Sequence, residues 1–286
     1  MFAQGTNPDT LTLAETAEIV EKSEANTFGT LIGNLPPGLA TEYGFSCQEV
    51  GGATAIILEK LPVSDFNRVI GLGVHQPATE ATIDELLALY GRSHTPFGIS
   101  VSPLAQPARL SGWLLERGFH RSFNWAKMIR GTEPPPQIET DLRIEVVNEF
   151  SATYYAHVTR AGSGIPPWMI PMFEHIATLP YVHSYLAYAG DVPVAVGSLF
   201  VDNGHGTLFN AVTLPEYRRR GAQGAIMSRR IQDGIALGVH WFTTETNEDT
   251  PKAPNTSYRN MLRTGFQLAY LRPNYEYEPQ TAVLGP

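Results

Sequence analysis

The residues best suited to chemistry lie together at Thr213–Ala225, which reads TLPEYRRRGAQGA. A predicted strand ends here, three arginines follow, and Gly221 and Gly224 open a predicted helix. The first turn of a helix presents unpaired N–H groups at the positive end of the helix dipole. Glycine lets the backbone approach a ligand without an intervening Cβ, and arginine adds charge-assisted donors. This combination predicts a pyrophosphate site.

The spacing in this segment excludes two common nucleotide-binding motifs. The GxxxxGK[ST] pattern and its lysine are absent, so the segment is not a Walker loop. The GxGxxG pattern of dinucleotide-binding folds is missing too. A solvated basic turn at Arg218–Arg220 is the alternative interpretation.

The elements that must position this segment follow a Pro-rich stretch at Gly131–Asp141 (GTEPPPQIETD). Alternation, turn residues and helical periodicity predict the order β-α-α-β-β-β-α-β-α-β. Such an order indicates a mixed α/β layer, in which antiparallel hairpins precede a strand-helix-strand unit. The predicted strands are 142–147, 184–189, 193–201, 207–214, 241–246 and 267–277; the predicted helices are 152–160, 167–176, 221–237 and one before Gly265.

The two parts of the chain on either side of the Pro-rich stretch end alike. Leu115–Phe119 (LERGF) follows a predicted strand, 97–101, and a helix, and Leu262–Phe266 (LRTGF) follows another such pair. Each Gly-Phe precedes a further strand, and glycine suits the left-handed position after a helix. The similarity predicts an internal repeat, although strand-helix-Gly-strand is also a common arrangement.

Composition excludes several classes of function. Of 286 residues, 28 are acidic and 20 are Lys or Arg, giving a net charge of −8. That charge disfavours a nucleic-acid-binding face. The single cysteine, Cys47, allows neither an intrachain disulfide nor a cysteine metal site. The spacing of the histidines does not indicate a metal site. Neither a secretory signal nor a run of about 18 apolar residues is found, so we expect a cytoplasmic protein without a membrane span.

On these residues the chain resembles the GNAT superfamily of acyl-CoA N-acyltransferases. Pro215, Arg218 and Gly221 match its V-x-P strand end and (Q/R)-x-x-G-x-(G/A) loop, whereas Gln223 stands where the last small residue belongs. The order of elements matches as well. The resemblance implies an α/β fold (an α+β mixed sheet) in two GNAT-like domains, each a mixed, mostly antiparallel sheet flanked by helices. It also implies acetyl-CoA as acyl donor and no metal.

The resemblance implies roles for particular residues. The strands 207–214 and 241–246 would splay apart around the pantetheine arm, with the phosphate loop beside them. Glu245, near the end of the second strand, would be the general base, or else an exposed strand-end carboxylate. Tyr258 would be the general acid, or else a packing residue, because the family's usual tyrosine position holds Met261. The implied donor-binding residues are Val212, Thr213, Arg218, Arg219, Arg220, Gly221, Ala222, Gln223, Gly224, Ala225 and Asn255.

The first part of the chain lacks a phosphate loop. Its corresponding segment follows a predicted strand at 68–74 and carries Glu80, Asp84 and Glu85, which would repel a pyrophosphate. We therefore expect a degenerate GNAT-like domain at 1–133, a linker at 134–141, and a catalytic domain with a single CoA site at 142–286.

The resulting hypothesis is an N-acetyltransferase in which the acceptor amine attacks acetyl-CoA directly. A non-catalytic CoA-binding or sensing protein is the main alternative, since Met261 replaces the usual acid, and an interaction protein without a CoA site is a second one. The acceptor would be a small-molecule or peptide amine. A homodimer is left open, and neither nucleic acid nor membrane is expected as a partner.

Overall fold

The computed structural model of the chain describes residues 6–279. Its helices are α1 Leu13–Gly33, α2 Pro37–Tyr43, α3 Glu80–Gly91, α4 Leu110–Glu116, α5 Ala152–Ser163, α6 Ile170–Ala177, α7 Ala222–Ala236 and α8 Thr256–Arg263. Its strands are β1 Phe45–Val50, β2 Ala53–Leu58, β3 Arg68–Ile70, β4 Phe97–Ser100, β5 His120–Arg130, β6 Arg143–Val146, β7 Val182–Ala189, β8 Val192–Asp202, β9 His205–Thr213, β10 Trp241–Asn247 and β11 Gln267–Tyr277. The fold is mixed α/β, as predicted. Among the described residues, no helix is long and apolar enough to cross a membrane.

The described residues divide into two compact units, each made of two chain segments. Unit 1 contains 6–16 and Lys127–Ala269, and unit 2 contains Ala17–Ala126 and 270–279. The divisions therefore fall inside helix α1 and inside strands β5 and β11. The Pro-rich segment 134–141, where the sequence predicts a linker, lies within unit 1.

The sheet of unit 1 has the strand order β5-β10-β9-β8-β7-β6. Strands β6 to β9 pair antiparallel, and β9 pairs parallel with β10. Helix α7 packs its apolar face on this sheet through Ala222 and Ile226, which join a buried cluster with Tyr185 and Val194. The period-3.6 pattern predicted for this helix thus corresponds to its buried side.

The sheet of unit 2 has the order β1-β2-β3-β4-β11. Its core is rich in aromatic residues: Tyr90 stacks on Phe97 with ring centroids 4.0 Å apart, and Phe119 meets Phe97 edge-on. Strand β3 is shorter than the predicted strand 68–74, because Gly71 and Gly73 take positive φ values of 80° and 78° and end it.

The same order of elements occurs twice along the chain, from α1 to β5 and again from α5 to β11, with β6 as the one addition. The last strand of each series completes the other unit. In unit 2, β11 pairs antiparallel with β4, with Tyr275 opposite Ile99. In unit 1, β5 lies beside β10. Each unit is thus closed by a strand that the chain makes in its other half.

The Pro-rich segment lies along helix α7 of its own unit. The Ser228 hydroxyl donates to the Pro136 carbonyl at 2.8 Å, and the Thr140 hydroxyl donates to the Arg220 carbonyl at 2.7 Å. Ile138 lies against Gly224, where an added Cβ would be 3.4 Å from its side chain. The stretch is extended, as its prolines require, but it packs on unit 1 and does not act as a free spacer.

Candidate active site

Strands β9 and β10 separate after a short region of pairing. Their parallel ladder covers three residue pairs and ends at Thr243 opposite Thr207. Beyond it, β9 continues to Thr213 and β10 to Asn247. The Thr244 hydroxyl donates to the Leu208 carbonyl at 3.0 Å, just past the last pair. The strands thus diverge toward their carboxyl ends, where peptide groups of β9 become available to a ligand.

A β-bulge lies on the other side of β9, in its pairing with β8. The register passes from Val196 opposite Val212 to Ser198 opposite Phe209, so β9 has one extra residue. Asn210 in the bulge has φ 48°, a left-handed conformation that asparagine tolerates better than most residues. The bulge turns the backbone immediately before Ala211–Thr213, the part of β9 that faces the opening.

The segment between β9 and α7 presents backbone donors to the same opening. Arg219 and Gly221 have φ values of 65° and 79°. The first helical hydrogen bond joins the Ala225 N–H to the Gly221 carbonyl at 2.9 Å. The N–H groups of 222–224 precede it and have no acceptor within the helix. This turn has the free donors and the positive helix end that a phosphate requires.

A cleft of about 1010 Å³ occupies this opening, within unit 1. Its walls come from β9, the start of α7, the end of β10, the start of α8 and the end of α5. Nine of the predicted donor-binding residues line it: Val212, Thr213, Arg218, Arg219, Gly221, Ala222, Gln223, Gly224 and Asn255.

Two predicted donor-binding residues, Arg220 and Ala225, do not line the cleft. Arg220 forms a two-pronged ion pair with Asp141 and lies over the ring of Tyr217. Its hydrogen bond lowers the pKa of the Asp141 carboxyl. Ala225 donates its N–H within the helix. Arg218 and Arg219 are therefore the members of the arginine triplet that lie in the cleft wall.

Gln223, the departure from the family pattern, connects α7 to α8. Its amide nitrogen donates to the Ser257 hydroxyl at 2.5 Å, and its amide oxygen accepts from the Asn260 amide at 2.6 Å. All three side chains line the cleft. The long side chain at this position thus forms a bridge between two of the cleft walls.

Asn255 both caps helix α8 and fixes the end of β10. Its side-chain oxygen accepts from the Tyr258 N–H at 3.2 Å, and its amide nitrogen donates to the Thr246 hydroxyl at 2.9 Å. Tyr258 is half-buried and does not line the cleft. Met261, on the same helix, is buried and 5% exposed. The cleft wall formed by α8 therefore consists of its capping residue and of Thr256, Ser257, Asn260 and Arg263.

Glu245, the predicted base, forms an ion pair. Its Oε2 accepts from Lys127 Nζ at 2.8 Å, and the two side chains are 19% and 3% exposed. Thr246 and Asn247, the last residues of β10, line the cleft in its place, together with Glu248 just after the strand. Sequence reasoning missed the carboxylate of Glu248, although its position two residues after the predicted strand 241–246 could have indicated it.

No group of three His, Cys, Asp or Glu side chains in residues 6–279 has a metal-binding arrangement.

The matching family agrees with this geometry. Residues 128–248 match the acetyltransferase (GNAT) domain. The chain therefore contains a GNAT acetyltransferase domain, and the diverging strands and phosphate-type loop lie within it. No curated protein gives a significant match to the chain.

Solved structures with the same fold extend over nearly the whole chain. A GCN5-related N-acetyltransferase from Sphaerobacter thermophilus has a TM-score of 0.63 at 12% identity, covering 98% of this chain and 96% of its own. One from Kribbella flavida has a TM-score of 0.61 at 14% identity, with 93% and 97% covered. A tandem GNAT protein from the clavulanic acid biosynthesis pathway has a TM-score of 0.58 at 14% identity, with 95% and 98% covered. At these identities the likeness is one of fold.

Proposed function

We propose that this protein is an N-acetyltransferase that uses acetyl-CoA as donor and an amine of a small molecule or peptide as acceptor. The carrying observation is a single cleft wall formed by the diverging end of β9 and the free N–H groups at the start of α7. The β9 backbone at Val212 and Thr213 would pair with the amides of an extended pantetheine arm. The N–H groups of 222–224, with Arg218 and Arg219, would hold the pyrophosphate.

The residues present fit such a donor. The turn before α7 combines positive charge, free N–H donors and Gly221, whose missing side chain lets a ligand approach the backbone. The cleft volume of about 1010 Å³ accommodates a long ligand. When bound, the donor would supply a thioester carbon that an amine attacks directly. The protein would contribute alignment of amine and thioester, removal of the ammonium proton, and protonation of the departing sulfur.

The proposed base and acid remain Glu245 and Tyr258. Glu245 follows the last paired residues of β10, and its ion pair with Lys127 keeps the carboxylate in one place. Tyr258 lies on α8 between Ser257 and Asn260, two residues that line the cleft. A proton would reach either group through water, because neither side chain is in the cleft wall.

We expect acetyl-CoA to bind with one site per chain. In unit 2, α3 occupies the place that α7 has in the repeated order. Its N-cap is its own Thr79, whose hydroxyl accepts from the Thr82 N–H, and its Glu80 and Asp84 pair with Arg117 at 2.9 and 2.6 Å. That end of the helix is both capped and acidic, so a pyrophosphate would be repelled. Isothermal titration measures the stoichiometry, and two equivalent sites would contradict the proposed degenerate copy.

We expect Glu245→Gln to reduce turnover far more than it weakens acetyl-CoA binding, because a base acts on the acceptor amine. The substitution also removes the carboxylate charge from the buried ion pair with Lys127, so a loss of stability of about 3–5 kcal/mol is expected in parallel. Turnover must therefore be measured well below the melting temperature of the variant, with Tyr258→Phe assayed beside it for the acid. Full activity of Glu245→Gln across the pH range would assign the base elsewhere.

The Gln223 side chain joins α7 to α8 across the cleft, so its removal would widen the cleft. We therefore expect Gln223→Ala to tighten CoA binding by roughly two- to tenfold, a change in binding free energy of about 1 kcal/mol. Ser257→Ala is the matched control, because it removes one hydrogen bond and leaves the Gln223 side chain in place. Weaker binding by the Gln223→Ala protein would show that the amide contacts the donor directly.

The competing proposal is a CoA-binding protein without transferase activity, favoured by the buried Met261 at the position of the family's usual acid. Acetyl-CoA turnover over a panel of polyamines, aminoglycosides, amino acids and peptide N-termini separates the two. Binding with no turnover on any acceptor class would support the sensor, and the release of free CoA with a matching acetylated amine would establish the enzyme.

A further inference from the structure

A buried arginine, Arg230, extends from helix α7 to the bulge of β9. It lies 1% exposed. Its Nη1 donates to the Ser198 carbonyl at 2.9 Å and to the Phe209 carbonyl at 3.4 Å. These two residues face each other where the β8–β9 register changes. The guanidinium therefore supplies a donor to carbonyls at the point where the ladder is interrupted.

The path of this side chain depends on a glycine. A Cβ at Gly197 would lie 2.7 Å from Ile226 Cγ2 and 3.0 Å from Arg230 Cζ. Gly197 is the β8 residue at the register change, so its missing side chain leaves the space in which the Arg230 guanidinium lies against β8. The small residue on β8 and the large side chain on α7 thus fit together at this position.

Side chains fix the bulge from a second direction. The Asn210 amide donates to the Tyr155 hydroxyl at 2.6 Å and to the Thr159 hydroxyl at 3.0 Å. The Tyr155 hydroxyl also forms a hydrogen bond with Ser198 Oγ, 2.5 Å away. Ser198 Oγ is in turn 2.8 Å from Ser184 Oγ. Helix α5 thereby holds the left-handed residue of the bulge in place.

Such an arrangement is costly, which argues that it has a role beyond packing. No carboxylate among the described residues forms an ion pair with Arg230, and its Nε is buried without a hydrogen-bond partner. Burial lowers the pKa of Arg230 to about 10, which still leaves it charged at neutral pH. A buried charge without a counter-charge is expensive, so a role in stability alone would favour an apolar side chain.

We propose that Arg230, with Tyr155 and Asn210, is a positioning residue of the donor site: it sets the bulge so that the backbone of Ala211–Thr213 faces the cleft. The proposal rests on the proposed donor function. Helix α7 would then serve the donor twice, by its first turn at the pyrophosphate and by Arg230, about 12 Å further along the helix, at the arm-binding strand. Loss of Arg230 should therefore impair recognition of the arm and spare recognition of the phosphates.

The test compares two ligands, CoA and ADP, which share a nucleoside pyrophosphate; ADP lacks the pantetheine arm and the 3′-phosphate of CoA. In the wild-type protein the ratio of the ADP Kd to the CoA Kd measures the joint contribution of the arm and the 3′-phosphate, and a substitution that acts on the arm alone changes this ratio. We expect Arg230→Met to reduce this ratio by about tenfold with little change in the ADP Kd, and Arg230→Lys to restore part of it. Arg229→Met is the matched control, because the neighbouring Arg229 is 41% exposed and pairs with Asp233 on the helix surface.

Should Arg230→Met fail to fold, Tyr155→Phe tests the positioning role instead, since it removes only the hydroxyl that Asn210 of the bulge contacts. We expect it to lower the ratio by about threefold. An unchanged ratio in a folded Arg230→Met or Tyr155→Phe protein would overturn the positioning role and leave the donor site intact. Failure of the wild-type protein to bind either ligand would overturn the donor site itself, and the positioning role with it.

Discussion

Replacement of Gly221 by glutamate is expected to abolish acetyl-CoA binding and with it the thermal stabilisation that the ligand confers. Three effects combine at this position. The residue has φ 79°, which costs a non-glycine residue about 1–2 kcal/mol. A Cβ would lie 2.8 Å from the Glu139 carbonyl oxygen, so the turn or the Pro-rich segment must move. The added carboxylate would then repel a phosphate that needs the same donors.

A matched control separates the backbone strain from the loss of the site. Gly238, just beyond the other end of α7, has φ 84° and nothing within 4 Å of an added Cβ. Gly238→Ala should therefore lower the melting temperature and leave the Kd for acetyl-CoA unchanged, whereas Gly221→Ala should weaken binding at least tenfold. A thermal shift of Gly221→Glu equal to that of the wild-type protein would show that the donor binds elsewhere.

Replacement of Arg272 by methionine is expected to lower the free energy of unfolding by about 3–5 kcal/mol. Arg272 is fully buried in unit 2, where it pairs with Glu21 at 3.0 Å and with Glu24 at 2.5 Å. The Tyr270 hydroxyl donates to Glu21 at 2.6 Å, and burial raises the pKa of that tyrosine. Removing the arginine would take away the closest ion pair of two buried carboxylates of helix α1, although Glu24 also lies 3.7 Å from Arg68.

The control for Arg272 is an exposed arginine of the same unit. Arg109 lies 3.8 Å from Glu116, with side chains 67% and 60% exposed, so Arg109→Met should change stability by less than about 1 kcal/mol. Urea denaturation measures both. Adding Glu21→Gln and Glu24→Gln to Arg272→Met should recover part of the lost stability, since it removes the two buried carboxylate charges that Arg272 neutralises in the wild-type protein. Equal effects of the two arginine replacements would disprove the buried ionic cluster.

Much of unit 1 could be predicted from the sequence because its signals are local. Gly190 lies between the predicted strands 184–189 and 193–201, Gly238 follows the predicted helix 221–237, and both take the positive φ typical of such positions, 60° and 84°. The order of strands and helices followed from periodicity, and the phosphate-type loop followed from glycines and arginines at a strand end. Nine of the eleven predicted donor-binding residues lie in one cleft because that motif is contiguous along the chain.

Features that depend on distant partners could not be predicted. Lys127 and Glu245 are 118 positions apart, so nothing in either segment indicates their ion pair. The bridge from Gln223 to Ser257 and Asn260 likewise depends on how α7 and α8 meet. Helix α1, with Glu21 and Glu24 buried on one side, was not predicted, because its pattern places charges where an apolar stripe is expected. The arginine that neutralises those charges lies near the other end of the chain.

The exchange of last strands has a consequence for synthesis on the ribosome. Residues 17–126 are made well before β11, the last strand among residues 6–279, and β11 is the partner of one edge of β4. At synthesis rates of about 5–20 residues per second, that interval is on the order of ten seconds or more. An open edge strand invites pairing with other nascent chains, so the early half of this protein should depend on chaperones until translation ends. A stop codon shortly before Tyr270 would thus damage the half of the protein that was made first.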